Sequence, residues 1–303
     1  MIRPPRVRPG DVIRVVAPSG PVPREGFERG LEILRGRYRV RHDERIFDRD
    51  GFLAGSDERR TDELRGALSD PEARAIVMAR GGYGSTRILP FLDPELLRAR
   101  PVPIVGFSDG TALLGWAASR ADVVSIHGPV VTQLSGLTTA DHEALFRMLE
   151  NPVPGLLLAN LTAWVPGRVQ GRLIGGNLEV FSRLLGTPYF PDPSGAILLM
   201  EDLGERPYRV DRLITHLDAA GVFSAVSGVI VGEFSGCVEP EATRAQSPTV
   251  AEVLEERLGR LAIPVAVGAP VGHGLRNVAL PHGALVELDT RFGTLIALEG
   301  AVQ

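Results

Sequence analysis

The sequence predicts an α/β protein with a parallel sheet in its N-terminal half and a second, smaller α/β domain of mixed strand direction. Three observations carry that expectation. From Val12 to His127, short apolar runs rich in β-branched residues alternate with stretches of helical spacing, the pattern of a parallel sheet with right-handed crossovers. Asn151-Pro-Val-Pro-Gly155 has the composition of a linker. Near the end, Ala284–Leu288 and Thr294–Leu298 read as an antiparallel hairpin. The expected division is an N-terminal domain over residues 1–150, a linker over 151–165 and a C-terminal domain over 166–303.

The elements follow in order. Gly10–Gly20 is a first strand running into a Pro-Ser-Gly turn, and Arg24–Arg37 a helix with Phe27, Leu31, Ile33 and Leu34 at apolar positions. Tyr38–Arg41 is a second strand. Ser56 caps a helix that runs to about Leu68, with acids in its first turn. Ala75–Ala79 is a third strand, emptying into Arg80-Gly-Gly-Tyr-Gly-Ser-Thr-Arg87, and Ile88–Leu97 is short helix or turn. A strand at Val102–Gly106 leads through Phe-Ser-Asp-Gly into a helix at Thr111–Arg120, and Val123–His127 is a further strand. Asp141–Leu149 is helical. In the second half, Glu179–Leu185, Arg209–Ala220 and Thr249–Leu261 are helices; Ala196–Met200, Val226–Phe234 and Val265–Gly268 are strands.

Composition excludes several functions. The net charge of −4 gives no basic footprint for nucleic acid. All 33 basic residues are arginine, which removes Schiff-base, P-loop and Ser–Lys chemistry. The single cysteine, Cys237, forms no internal disulfide and reads as a small core residue, compatible with a reducing compartment. Val12–Ala17 is too short for a signal-peptide core, and no apolar run approaches a membrane span. The expected setting is a soluble, cytoplasmic one, with no membrane partner.

Gly106-Phe-Ser108-Asp-Gly110 at a strand-to-helix junction has the pattern of a nucleophile elbow. A tight turn pushes the Ser108 hydroxyl clear, small residues at 106 and 110 let the backbone pass, and N–H groups at the helix start face developing negative charge. Functional residues of open α/β sheets collect at strand ends. Two further strand ends carry matching chemistry: Glu201 and Asp202 after Ile197–Met200, and His273 after Val265–Val267. The order Ser…Glu…His is one a catalytic triad takes. Glu201 competes with Asp202 and Glu205, and is favoured because it directly continues a strand. His273, flanked by glycines, is favoured as base over His127, which either lines the site or caps its strand, and over His282, read as a turn residue. His42, His142 and His216 read as solvent-facing. Arg80-Gly-Gly-Tyr-Gly lacks the spacing of a dinucleotide fingerprint and suits instead a close backbone approach to a reacting carbonyl. No cluster has metal-ligand spacing.

Several ordered motifs extend the picture: Gly10-Asp-Val-Ile-Arg-Val-Val-Ala-Pro-Ser-Gly, Ala79-Arg-Gly-Gly-Tyr-Gly-Ser-Thr-Arg, Gly106-Phe-Ser-Asp-Gly-Thr-Ala-Leu and His127-Gly-Pro. Gly175-Gly-Asn-Leu, Met200-Glu-Asp-Leu-Gly-Glu-Arg-Pro-Tyr-Arg-Val-Asp-Arg and Gly272-His-Gly-Leu-Arg-Asn-Val-Ala-Leu-Pro-His-Gly follow. In this series the chain resembles the LD-carboxypeptidase (muramoyltetrapeptide carboxypeptidase) family of serine peptidases over almost its whole length. The resemblance implies a flavodoxin-like N-terminal domain, a smaller C-terminal domain and a site between them. It implies a triad of Ser108, Glu201 and His273 and a homodimer. The implied reaction is hydrolysis of the L,D bond between meso-diaminopimelate and terminal D-alanine in murein tetrapeptides, a cytoplasmic recycling step that needs no metal or cofactor. In that mechanism the N–H groups of Asp109 and Gly82 hold the oxyanion. Arg80, Arg87 and Arg276, in motif loops, are candidates for the substrate carboxylate.

Three rival readings stand beside it. A microcin C self-immunity type of hydrolase, acting on aminoacyl or peptidyl adenylate analogues, needs an aromatic platform for adenine, and the chain has only Trp116 and Trp164 as tryptophans. An ester-cleaving α/β-hydrolase should carry a His-Gly-Gly-Gly-like segment, which is absent. A non-catalytic ligand-binding module would leave Ser108 dispensable.

Overall fold

The structure, a computed structural model, describes all residues from Met1 to Gln303. In the N-terminal half β1 (Val12–Val16), β2 (Arg39–Arg41), β3 (Ala73–Met78), β4 (Ile104–Gly106) and β5 (Ser125–His127) form a parallel sheet in the order β2-β1-β3-β4-β5. This is the flavodoxin-like order. The side chains alternate between two cores. Ile13, Val15, Ala75 and Val77 pack with the helices at Arg24–Arg35 and Thr139–Glu150. Val16, Ile76 and Met78 face the other way, onto helices at Asp57–Ser69, Pro94–Ala99 and Thr111–Trp116. Both faces are covered, which is why these strands read as unbroken apolar runs.

The second half adds β6 (Gly155–Leu158), β7 (Thr162–Val165), β8 (Arg168–Asn177), β9 (Ile197–Leu203), β10 (Gly228–Ser235), β11 (Val265–Val267), β12 (Leu280–His282), β13 (Leu285–Asp289) and β14 (Thr294–Ala297). Eight of them form a second, mixed sheet, β6-β14-β13-β8-β9-β10-β11-β7. Its centre, β8 to β11, is parallel, and its flanks are antiparallel. Leu198, Met200, Val229 and Val231 face one core, and Ile197, Leu199 and Ile230 the other. No helix is long and apolar enough to cross a membrane.

Two expectations need correction. The stretch 151–165 is not irregular linker: β6 and β7 lie within it and close the two opposite edges of the second sheet. Short, Pro- and Gly-flanked strands are decided by the partner edge rather than by their own sequence. His282 is not in a turn. It ends β12, is buried, and β12 leaves the second half to pair antiparallel with β5 at the edge of the first sheet. An edge is where Pro281 can sit in a strand. The Gln303 N–H donates to Pro4 O, and the Arg6 N–H to Gln303 O, so the chain's end also returns to its beginning. The loop between β11 and β12, which carries His273, is therefore fixed in one sheet at its start and in the other at its finish. Cys237 and Trp116 are buried, as expected of core residues.

Candidate active site

The first wall of the site is the turn after β4. Phe107 is extended and Ser108 takes φ +60, a left-handed conformation rare for a residue with a side chain. Such a backbone costs roughly 1–3 kcal/mol and persists only where its surroundings hold it. A Cβ on Gly106 or Gly110 would meet Met78 Sδ at 2.8 or 2.6 Å, so the buried Met78 side chain of β3 would have to shift to admit one. A Cβ on Gly81 would lie 2.7 Å from Ser108 Cβ and 3.6 Å from the Asp109 nitrogen, so glycine there leaves both the hydroxyl and the Asp109 N–H uncovered.

The Asp109 side chain points away from the cleft and ties three loops together. Its carboxylate accepts Ser19 O–H at 2.6 Å and Ser85 N–H at 2.7 Å, and the two serine hydroxyls are 2.8 Å apart. Burial pushes this carboxyl above its usual range, against the hydrogen bonds. The loops after β1 and β3 are thereby locked to the elbow. Gly82, in the second of these loops, lines the cleft at φ +107.

The second wall holds the base. His273 Nδ1 lies 2.7 Å from Glu201 Oε2 at the end of β9. Glu201 is fully buried; burial pushes its carboxyl upward, and the bond to His273 works against that. The histidine's loop is secured from the first half of the chain. Gln133 Nε2 donates to Gly272 O at 3.1 Å, Asn277 Nδ2 to Gln133 Oε1 at 2.8 Å, and the Gly272 N–H to Asn277 Oδ1 at 3.2 Å. The Phe107 ring, one residue before Ser108, lies 4.2 Å from the His273 ring.

Both walls face one cavity of about 520 Å³, lined by Ser108, His273, Phe107, Gly81, Gly82 and Arg80, and also by Asn177, Glu179, Asp202 and Glu205. Ser108 Oγ and His273 Nε2 have no hydrogen bond within the protein, to each other included, so both are available to a bound molecule. The arrangement can attack a carbonyl, take up the proton and shelter an oxyanion.

The competing residues fall elsewhere. Asp202 accepts from Asn177 Nδ2, Glu179 N–H and Leu203 N–H, holding the start of the helix at Leu178–Arg183; burial pushes its carboxyl up to about 6. Glu205 lines the cavity but does not bond His273, whose Nδ1 is taken by Glu201. Arg87 pairs with Asp57 at 2.8 Å and Arg276 with buried Asp141 at 2.8 Å, and neither lines the cavity; Arg80 does. His127 does not line it either. It ends β5, buried, with both ring nitrogens unpartnered. Burial, with smaller contributions from His282 and His273, drives its pKa down to about 3. His216 is exposed, but His42 and His142 are half-buried, one against Phe27 and one on the Leu134 carbonyl. Trp164 lines a different cavity, with Glu255 and Arg260. Sequence reasoning missed Ser19, Ser85, Gln133 and Asn277; the only local signal was a serine beside each glycine-rich turn after β1 and β3.

A two-sheet α/β fold whose cleft gathers an elbow serine and a histidine bonded to a buried acid has the parts of a hydrolytic site, and the class it points to is that of hydrolases. Residues 13–128 match the LD-carboxypeptidase N-terminal domain and residues 170–288 the LD-carboxypeptidase C-terminal domain. The chain belongs to the LD-carboxypeptidase family. A Synechocystis sp. protein provisionally named a carboxypeptidase is 40% identical over 97% of this chain and 96% of its own. The murein tetrapeptide carboxypeptidase of Pseudomonas aeruginosa is 32% identical over 91% of this chain and 92% of its own. In fold, the wild-type apo structure of the microcin C7 self-immunity protein superposes with a TM-score of 0.91 at 24% identity, over 100% of both chains.

Proposed function

We propose that this chain is a serine-type LD-carboxypeptidase that removes the terminal D-alanine from murein tetrapeptides by cleaving the L,D bond after meso-diaminopimelate. The observation that carries the reading is His273, bonded at 2.7 Å to the buried Glu201 and sharing one cavity with a serine held at φ +60. Ser108 Oγ attacks the L,D carbonyl while His273 Nε2 takes its proton. Glu201 fixes the ring with Nδ1–H toward the carboxylate and stabilises the imidazolium. The N–H groups of Asp109 and Gly82 receive the oxyanion. Collapse breaks the C–N bond, His273 protonates the leaving amine, and D-alanine departs. Water, deprotonated by His273, then cleaves the Ser108 ester and frees the tripeptide. Arg80 is the candidate for the substrate's terminal carboxylate. Glu179 and Glu205, which also line the cavity, suit the free ammonium of diaminopimelate.

The adenylate-hydrolysing rival shares the fold, but Trp116 is in the core and Trp164 lines a separate cavity, so neither tryptophan serves it as a platform. The reading carries with it a cytoplasmic homodimer, to be checked by fractionation and light scattering.

The test is mass spectrometry on L-Ala-γ-D-Glu-meso-DAP-D-Ala with wild type, chelator-treated wild type and Ser108→Ala. The expected result is loss of one D-alanine with the first two and none with the third. Cleavage that survives Ser108→Ala overturns the mechanism.

A further inference from the structure

A second cavity, also of about 520 Å³, adjoins the catalytic one and shares Arg80 and Gly82 with it. Its walls are the loop after β1 (Gly20–Pro23), the segment carrying Phe47, Arg49 and Phe52, and Tyr83 of the loop after β3. The place is significant. With β1 flanked by β2 and β3, the chain reverses its direction of travel across the sheet between β1 and β3. The connections that follow these two strands lead to helices on opposite faces of the sheet, and ligands of open α/β sheets lie in the crevice at that point.

The chemistry of the crevice differs from that of the catalytic cavity. Phe52 and Tyr83 are 64% and 49% exposed, with ring centroids 5.7 Å apart. Arg49 and Arg80 line it, and Arg24 lies 3.8 Å over the lining ring of Phe47. None of the three arginines has a carboxylate partner: Arg49 bonds the carbonyl of Gly51 and Arg80 that of Pro21. Asp48 and Asp50 flank Arg49 in sequence, but neither lines the cavity.

We propose that this crevice is the acyl-side subsite of the enzyme, taking the part of the peptide upstream of the scissile bond and pairing its free α-carboxylate with Arg49. The inference rests on the LD-carboxypeptidase reading and deepens it. A carboxypeptidase of this type releases one small residue, so its leaving side needs little room, whereas the acyl side is three residues long. Gly82 and Arg80 line both cavities, so the crevice continues the one that holds Ser108. The charges match in order. Upstream of the scissile bond a murein tetrapeptide carries first the ammonium and carboxylate that end the diaminopimelate side chain, the ammonium suited to Glu179 and Glu205 of the catalytic cavity, and one residue further the α-carboxylate of its γ-linked D-glutamate, suited to Arg49 of the crevice. The exposed aromatic faces then cover the peptide's apolar stem.

The experiment is calorimetric titration of Ser108→Ala, and of Ser108→Ala with Arg49→Gln, using two peptides: L-Ala-γ-D-Glu-meso-DAP-D-Ala and the same peptide amidated at the D-glutamate α-carboxyl. Arg49 is exposed, so its replacement leaves the fold intact. Amidation is expected to weaken binding about tenfold when Arg49 is present, and to make no difference when it is Gln, the signature of one charge-assisted bond. Equal affinity for the two peptides with Arg49 present, including none for either, overturns the proposal. So does an amidation effect that persists undiminished in Arg49→Gln. Displacement of the peptide by AMP with amidation neutral assigns the aromatic pair to a nucleobase and also overturns it. D-Alanine release by wild type is read separately: its absence defeats the proposed reaction, while the binding comparison still decides the subsite.

Discussion

The two walls of the cleft are held by different means. Ser108 is placed by the main chain: a left-handed residue wedged under Gly81, with Met78 against both flanking glycines and the Asp109 carboxylate anchoring the turn from behind. His273 is placed by side-chain bonds: Glu201 on one ring nitrogen, and the Gln133–Asn277 amide pair around the preceding glycine. A position set by backbone packing responds to added volume. One set by hydrogen bonding responds to the exchange of a single atom. The nucleophile's wall should be the less forgiving of bulk, and the base's wall the less forgiving of charge.

Three substitutions sharpen or break that contrast. The largest effect is expected from Glu201→Gln, which keeps the shape and removes the charge that holds the histidine's tautomer. D-Alanine release should fall about 10³- to 10⁴-fold in kcat. The melting temperature should not fall, because a buried charge has been removed. Unchanged turnover would break the account of the second wall. Next is Gly81→Ala. One methyl group, 2.7 Å from Ser108 Cβ and over the Asp109 N–H, should lower kcat about 10²-fold, with less effect on KM. If Gly81→Ala is as active as wild type, the wall is not held by packing.

The smallest effect lies behind the cleft, in the buried histidines. Burial holds His127 and His282 at pKa values of about 3 and about 4, whereas in the unfolded chain they titrate near 6.5. Between those limits the unfolded state binds protons that the folded state refuses. Their contribution is therefore full above pH 6.5 and falls as pH drops, by about 1.4 kcal/mol per pH unit for each histidine. Glu63 and Asp202, pushed up to about 7 and about 6 by burial, work in the opposite direction. The readout is thus a difference. Urea denaturation at pH 7, 6 and 5 should show His127→Leu losing less stability on acidification than wild type, and parallel curves would refute it.

Much of this molecule was legible in the residues alone. Ser108 and His273 come after apolar, β-branched runs and Glu201 continues the apolar run Ile197–Met200, so the strand that positions each residue also announces it. The supports are silent because their partners are distant. Ser19 and Ser85 lie 90 and 24 positions from Asp109, and Asn277 lies 144 from Gln133. Arg276 resembled a substrate ligand until Asp141, 135 positions away, proved to hold it. The edge strands β6, β7 and β12 were hidden for a related reason. Each is three or four residues long, and the pairing that makes it a strand is supplied from elsewhere in the chain.

The strand β12 reaches further than its three residues suggest. It carries the chain back to the first sheet immediately after the loop of His273, so that this loop spans the gap like a cable anchored on both banks. Any shear or opening between the sheets must pull on it, and through it on the imidazole. It also means that no single cut in the gene separates the molecule into two complete halves. A fragment ending near residue 150 would leave β5 with a bare edge, and the complementary fragment would carry β12 with nothing to pair with.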